Sequence, residues 1–288
     1  MKVILIGANG QVGRDLVKAL EGIDLLPLTH ADLEICDTEA VRAVITGARA
    51  EVVINTAAFH RVDDCEEVPE KAFAVNALAV RGLAQVCAEA DCALVHMSTD
   101  YVFGGTDRNP RTPYAEEDAP YPINVYGASK LAGEYFVRSI CPKHFLVRTS
   151  GLYGFAGSSG KGGNFVETMT RLAREGKPIR VVNDQTLTPT YTKDLAAKIS
   201  ELLQSDAYGL YHITNAGQCS WFEFARRIFE LQGLTPELSP ITTEGTGAKA
   251  RRPAYSVLAH RNLLLHGFAD LRPWPEALEA YLKEKRYI

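Results

Sequence analysis

Residues 2–13 read KVILIGANGQVG: a short apolar, β-branched run, three glycines spaced by three, and the opening of an amphipathic stretch. This stretch constrains the chain more than any other. A buried strand must pass through a tight turn into a helix, the first step of a βαβ unit. Gly7, Gly10 and Gly13 allow the turn and a close backbone approach to a ligand, and a helix N-terminus favours negative charge. A plain strand–helix turn would use the same residues. Position after the first strand favours a dinucleotide pyrophosphate, with Gly7, Asn9, Gly10, Gln11, Val12 and Gly13 as candidate contacts.

The same alternation continues. Candidate strands are Lys2–Ile6, Asp24–Leu28, Glu51–Asn55, Cys92–Ser98, His144–Thr149 and Pro178–Val182. Candidate helices lie near Gln11–Leu20, Thr38–Gly47, Pro69–Ala90, Val125–Ser139 and Asn164–Gly176. The expected fold is α/β: a Rossmann-like, doubly wound parallel sheet. The pattern loosens after about residue 183. A helix at Lys193–Leu203, a strand at Leu210–Thr214, a helix at Ser220–Leu231 with a Ser220/Glu223 capping box, and a last helix near Pro275–Lys285 are expected there. We therefore expect a dinucleotide-binding domain over 1–183 and a smaller C-terminal α/β substrate lobe over 184–288, with the chain crossing between them.

The 288 residues carry a net charge of −4, so no electrostatic footprint for nucleic acid is visible. No apolar run approaches the ~18 residues of a membrane span, and the apolar start is too short for a signal peptide. A cytoplasmic protein is expected. The six cysteines form no CxxC and have no histidine cluster beside them, so inert thiols and no metal site are expected.

Tyr126 and Lys130, in YGASK, are four residues apart and share a helix face; Tyr281 and Lys285, in YLKEK, repeat the spacing. Context separates them. YGASK follows Met97-Ser98-Thr99-Asp100-Tyr101, at the end of the fourth strand, where open α/β sheets bind ligands. A hydride arriving at a carbonyl carbon leaves negative charge on oxygen. Tyr126 is suited to protonate that oxygen, Lys130 to lower the phenol's pKa and hold a ribose, and Thr99 to donate to the oxyanion. YLKEK follows no strand-end hydroxyl and is expected to be a solvated helix face with Tyr281 packing inward.

The glycine loop, STDYVF and YxxxK together resemble the extended short-chain dehydrogenase/reductase superfamily. Further segments narrow the likeness: Val53–Asp63, Ala74-Val75-Asn76, Arg148-Thr149-Ser150, Asn164-Phe165-Val166, Asn183-Asp184-Gln185 with Pro189-Thr190, and Arg252-Pro253-Ala254-Tyr255-Ser256. In order, they resemble the dTDP-4-dehydrorhamnose reductase family over nearly the whole chain. The resemblance implies reduction of the 4-keto group of a nucleotide-linked 6-deoxyhexulose by NADPH or NADH. It places Glu34 and Ile35 against the adenine, and Asn55, Ala57, Ala58 and Asn76 along the cofactor trough. It makes Thr99, Tyr126 and Lys130 catalytic. It turns Ser98, Gly151, Asn164, Gln185 and Arg252 towards the nucleotide sugar. From residue type alone, Asn55 also suits a turn, Asn164 a helix cap and Arg252 an ion pair between lobes. The second strand ends without an acid before Asp32, and Arg14 follows Gly13, which favours NADPH slightly. Some members dimerise through Mg²⁺ at late-lobe carboxylates; no acid pair here is assignable to that ion, and monomer and homodimer both stand.

Dehydratases of the superfamily carry Asp-Glu after the threonine; here Asp100 is followed by Tyr101, which disfavours dehydration. The family usually has tryptophan where this chain has Gly151, so the hexose pocket is expected to differ. Two other expectations compete: an epimerase that retains NAD, and a non-catalytic regulatory subunit that keeps the fold. The segment Phe155–Gly163 is expected to be a mobile loop at the substrate mouth.

Overall fold

The computed structural model describes residues 1–105, 111–156 and 163–288. Strand and helix alternate from the start: β1 (Lys2–Ile6), α1 (Gln11–Ala19), β2 (Asp24–Leu28), α2 (Thr38–Ala48) and β3 (Val52–Asn55). Next come α3 (Val62–Glu67), α4 (Pro69–Phe73), a π-helical turn (Ala74–Leu78) and α5 (Ala79–Glu89). β4 (Ala93–Thr99), α6 (Val125–Ile140) and β5 (His144–Thr149) follow. The chain then adds β6 (Leu152–Tyr153), α7 (Phe165–Arg174), β7 (Ile179–Val182), β8 (Thr186–Leu187), β9 (Thr190–Tyr191), α8 (Thr192–Leu202) and β10 (Gly209–His212). It closes with β11 (Cys219–Ser220), α9 (Trp221–Gln232), β12 (Leu238–Ile241), α10 (Arg261–Leu265) and α11 (Trp274–Glu284).

Six strands form one parallel sheet in the order β2-β1-β3-β4-β5-β10. Side chains alternate across it, as the pleat requires. Val3, Leu5, Val52, Ile54 and Val95 enter a core closed by α1 and α8. Ile4, Ile6, Val53, Leu94 and Leu146 enter another, closed by α2, α5 and α6. Burial on both faces explains why these strands read as unbroken apolar runs. The strand order reverses at β1, which pairs with β2 on one side and β3 on the other. Ile6 and Asn55 are register partners, so the loops after β1 and β3 leave the sheet side by side and open a crevice.

Packing does not divide at residue 183. Tyr153, α7 and β7 join α9 and α11 in a third core. α8 and β10, from the expected second lobe, pack into the main sheet. The strand expected at Pro178–Val182 is not in the main sheet: β7 pairs with β12 in a sheet of two. Its burial alternates, with Ile179 and Val181 inside and Arg180 exposed, which suits a one-sided sheet. The expected single helix Pro69–Ala90 is broken by the π-helical turn. The Ser220/Glu223 capping box is present. Residues 157–162 of the expected mobile loop lie outside the described residues. No described helix is long and apolar enough to cross a membrane. Among the described residues, no three His, Cys, Asp or Glu side chains gather to hold a metal ion.

Candidate active site

A cavity of ≈ 920 Å³ opens at the carboxyl ends of β1, β3 and β4. Gly7, Asn9, Gly10, Gln11 and Val12 form one wall. Gly7 has φ +86°, and a Cβ there would lie 2.6 Å from Thr56 Oγ1. Gly10 caps α1 without a side chain, no acid stands in the helix's first turn, and Gln11 Oε1 is buried without a partner. These features fit a phosphate-bearing dinucleotide: bare amides, a positive helix end and room for close backbone approach. Gly13 does not line the cavity. Its Cβ would lie 2.3 Å from the Gly7 carbonyl oxygen, so its smallness serves helix–loop packing.

Glu34, Ile35, Ala57 and Ala58 line the next stretch. Asp32 turns back, its carboxylate accepting from Thr29 N (2.8 Å) and Oγ1 (2.7 Å). Asn55 and Asn76 are not on the wall. Asn55 is fully buried, its Oδ1 accepting from Ala57 N (3.0 Å) and its Nδ2 3.1 Å from His96 Nδ1. Asn76, in the π-helical turn, bonds both the N–H and the carbonyl of Phe59 at 2.9 Å, and donates to Ser129 Oγ at 3.0 Å. Both amides replace missing backbone partners and shape the trough from behind.

Thr99 ends β4, and Tyr126 and Lys130 stand one turn apart at the start of α6; all three line the cavity. Asn124 caps α6 by accepting from Gly127 N at 2.8 Å. Gly127 lets the helix close on the Tyr101 carbonyl, which a Cβ would meet at 2.1 Å. Burial raises the Tyr126 phenol above its ordinary value, opposed by a hydrogen bond from Thr99. Burial lowers Lys130 to about 8, opposed by the charge of Glu134. Its Nζ lies 3.3 Å from His96 Nε2. Ser98 also lines the cavity, but its hydroxyl is bound to Glu134, whose carboxylate takes two further bonds from Arg148 (2.9 and 2.7 Å).

Residue identity did not single out Asp100, His96 or Trp221 for the site. Asp100 is buried and accepts from Ser256 Oγ (2.6 Å), Ser150 Oγ (2.8 Å) and Thr99 Oγ1 (3.1 Å), tying three segments together. Burial raises its carboxyl to about 6. Its place next to Thr99 was the available signal. His96 sits in mid-strand and gave none.

On the far wall lie Gly151, Gln185, Trp221, Pro253 and Ser256. Gln185 donates to Thr243 Oγ1 at 2.9 Å. Gly151 has φ +55°, and a Cβ would lie 2.9 Å from Leu187 Cδ1 and 3.0 Å from Pro189 Cα, so this backbone leaves no room for a large side chain. Asn164 and Arg252 are not on the wall. Asn164 caps α7 in a full capping box, and its Nδ2 donates to the Gly154 carbonyl (2.9 Å) and Tyr281 Oη (2.8 Å). Arg252 forms a two-pronged pair with Asp63, both contacts 2.8 Å. Its guanidinium holds the Asp63 carboxyl well below its usual range.

Comparison with known proteins places the chain in a family. A family model described as the RmlD substrate binding domain matches residues 1–287. A dTDP-4-dehydrorhamnose reductase of Mycolicibacterium smegmatis is 42% identical over 96% of this chain and 84% of its own. The spore coat polysaccharide biosynthesis protein SpsK of Bacillus subtilis is 41% identical over 99% and 98%. A crystal structure of dTDP-4-dehydrorhamnose reductase from Bacillus anthracis, in complex with NADP, superposes with a TM-score of 0.93 at 43% identity, covering 99% of this chain and 100% of that one. This chain belongs to the dTDP-4-dehydrorhamnose reductase family and is an enzyme of the short-chain dehydrogenase/reductase type.

Proposed function

We propose that this enzyme reduces the 4-keto group of a nucleotide-linked 6-deoxyhexulose, dTDP-4-dehydro-L-rhamnose to dTDP-L-rhamnose, with NADPH. One observation carries the reading: Thr99, Tyr126 and Lys130 line the same cavity as the bare N-terminus of α1. The bound cofactor supplies the hydride. Tyr126 gives the proton to the carbonyl oxygen, with Thr99 donating to the same oxygen as charge develops. The phenol's burial favours its protonated form, so it arrives loaded; the ammonium of Lys130, one helix turn away, would favour the phenolate once the proton has left. At rest the single Thr99 hydroxyl proton is donated to Asp100, and it turns from that carboxylate to the carbonyl oxygen as charge develops there. Gly7, Asn9, Gly10, Gln11 and Val12 would take the pyrophosphate, and Glu34, Ile35, Ala57 and Ala58 the adenosine side. Gly151, Gln185 and Trp221 would face the sugar nucleotide.

NADPH is favoured over NADH because Asp32 is committed to Thr29, and Arg14, its Nε 3.3 Å from the carbonyl of the lining residue Asn9, is within a side chain's reach of a 2′-phosphate. The Bacillus anthracis relative, crystallised with NADP, supports the same preference. Gly151 favours one second reading, a related 4-keto sugar whose hexose lacks an aromatic cover on that side. A screen of nucleotide-linked 4-keto sugars with both reduced cofactors tests both. We expect oxidation of NADPH, faster than NADH, only when keto sugar is present. Turnover of another keto sugar with none of the dTDP-rhamnose precursor would select the second reading, and no turnover with any would defeat both.

A further inference from the structure

Asn55, His96 and Lys130 form a buried chain from β3 through β4 to α6. Its hydrogen positions follow from one fixed point. The Ala57 N–H only donates, so the Asn55 atom facing it at 3.0 Å is the amide oxygen. The Asn55 NH₂ therefore faces His96 Nδ1, at 3.1 Å. Nδ1 must accept, and a neutral imidazole then carries its proton on Nε2. That nitrogen lies 3.3 Å from Lys130 Nζ. Two N–H groups cannot both donate across one contact. A neutral Lys130 accepts from His96 there; an ammonium opposes it. His96 gains nothing by taking a second proton, because burial and the Lys130 charge both disfavour the imidazolium.

We propose that Asn55 and His96 are positioning residues for Lys130: the amide fixes His96 as the Nε2–H tautomer, and that N–H works against the lysine's ammonium, holding Lys130 close to deprotonation. The groups acting on Lys130 are His96 from β4 and Glu134 from α6, with Tyr126 one turn away on the same helix and cavity wall. Glu134 favours the ammonium but is itself paired with Arg148 of β5. Burial acts in the same direction as the His96 N–H. This explains why Asn55, expected to touch cofactor, lies behind the trough: it acts through a second residue. A lysine held there exchanges its proton near neutral pH, where one at its ordinary value of about 10.4 stays charged. The consequence for turnover rests on the role proposed above for Lys130; the hydrogen positions do not.

The test is NMR on the full chain carrying nitrogen-labelled histidine and carbon-labelled lysine, without cofactor or substrate, with Lys130→Met to assign the lysine signal. The nitrogen shifts of His96 report its tautomer, and the lysine side-chain signal reports titration. We expect the Nε2–H tautomer in the wild type. In Asn55→Asp the carboxylate accepts from both Ala57 and His96, so the tautomer should invert to Nδ1–H and the Lys130 midpoint rise by about one pH unit or more. An Nδ1–H tautomer in the wild type overturns the proposal. So does a rise in the midpoint without inversion, which would be the added charge alone, or inversion without a rise. Should Asn55→Asp not fold, the wild-type tautomer alone decides. Failure of the reductase reading would leave these spectra unchanged.

Discussion

Tyr126–Lys130 and Tyr281–Lys285 have the same spacing on a helix, and both tyrosines are buried with phenols raised by burial. Neither spacing nor burial tells them apart. Their surroundings do. The Tyr281 phenol accepts from Asn164, and its ring meets Tyr153 edge-on at 5.2 Å. Lys285 pairs with Glu167 and lies 4.4 Å from the Phe155 ring centroid. Tyr281 packs inward as expected, and Lys285, expected on a solvated face, helps join α11 to α7. Around Tyr126 the surroundings are of another kind: a strand-end hydroxyl as partner and, on the same cavity wall, a lysine set against an imidazole. A tyrosine whose hydrogen bonds end in the fold builds structure. One whose hydroxyl faces a cavity beside groups of shifted pKa has the means for proton transfer.

Removing each hydroxyl should produce the largest contrast. Tyr126→Phe should lower kcat/KM for keto-sugar reduction by about 10²–10⁴-fold, the range for loss of a general acid, with cofactor affinity nearly unchanged. Tyr281→Phe should leave turnover intact and cost about 1 kcal/mol of stability through the lost Asn164 bond. Steady-state kinetics and thermal melts on both variants decide; an active Tyr126→Phe enzyme would sink the mechanism.

The lysines should differ in pH dependence. The proposed role of Lys130 needs its ammonium. With its pKa lowered to about 8, kcat/KM should hold below that pH and fall as pH rises through it. Lys285→Gln should leave this limb in place, since Lys285 does not line the cavity and pairs with Glu167. A pH profile without a basic limb near 8 would separate Lys130 from the chemistry.

Much of this contrast is legible in the sequence alone. The sheet strands announce themselves as unbroken apolar runs because both faces are covered, and the glycine loop and YGASK are local patterns whose place in the βαβ order carries meaning. Position in the family pattern turned Asn55, Asn76 and Asn164 towards ligands, whereas residue type also offered a turn for Asn55 and a helix cap for Asn164; the structure shows those uses, and an amide reads the same in either. The sixth sheet strand was misassigned because Ile179–Val182 and Gly209–His212 are both short and β-prone. Which of them reaches β5 depends on how the late helices pack. His96 was invisible because its chemistry comes from neighbours on two other elements.

The smallest effect tests the joint itself. For Asn164 a helix cap and a sugar-nucleotide contact were both expected; the structure shows the cap of α7 and a bond donated to Tyr281. Loss of an N-cap asparagine costs about 0.5–2 kcal/mol. Asn164→Ala should therefore lower stability by about that amount, measured by urea unfolding, while KM for the keto sugar stays within about twofold of wild type. Asn164→Ser, which keeps a capping oxygen but cannot reach Tyr281 as the amide does, should recover most of the cap's share. A KM raised tenfold or more in a stably folded Asn164→Ala protein would instead put Asn164 on the substrate, and the line drawn here between scaffold tyrosine and reactive tyrosine would have to move.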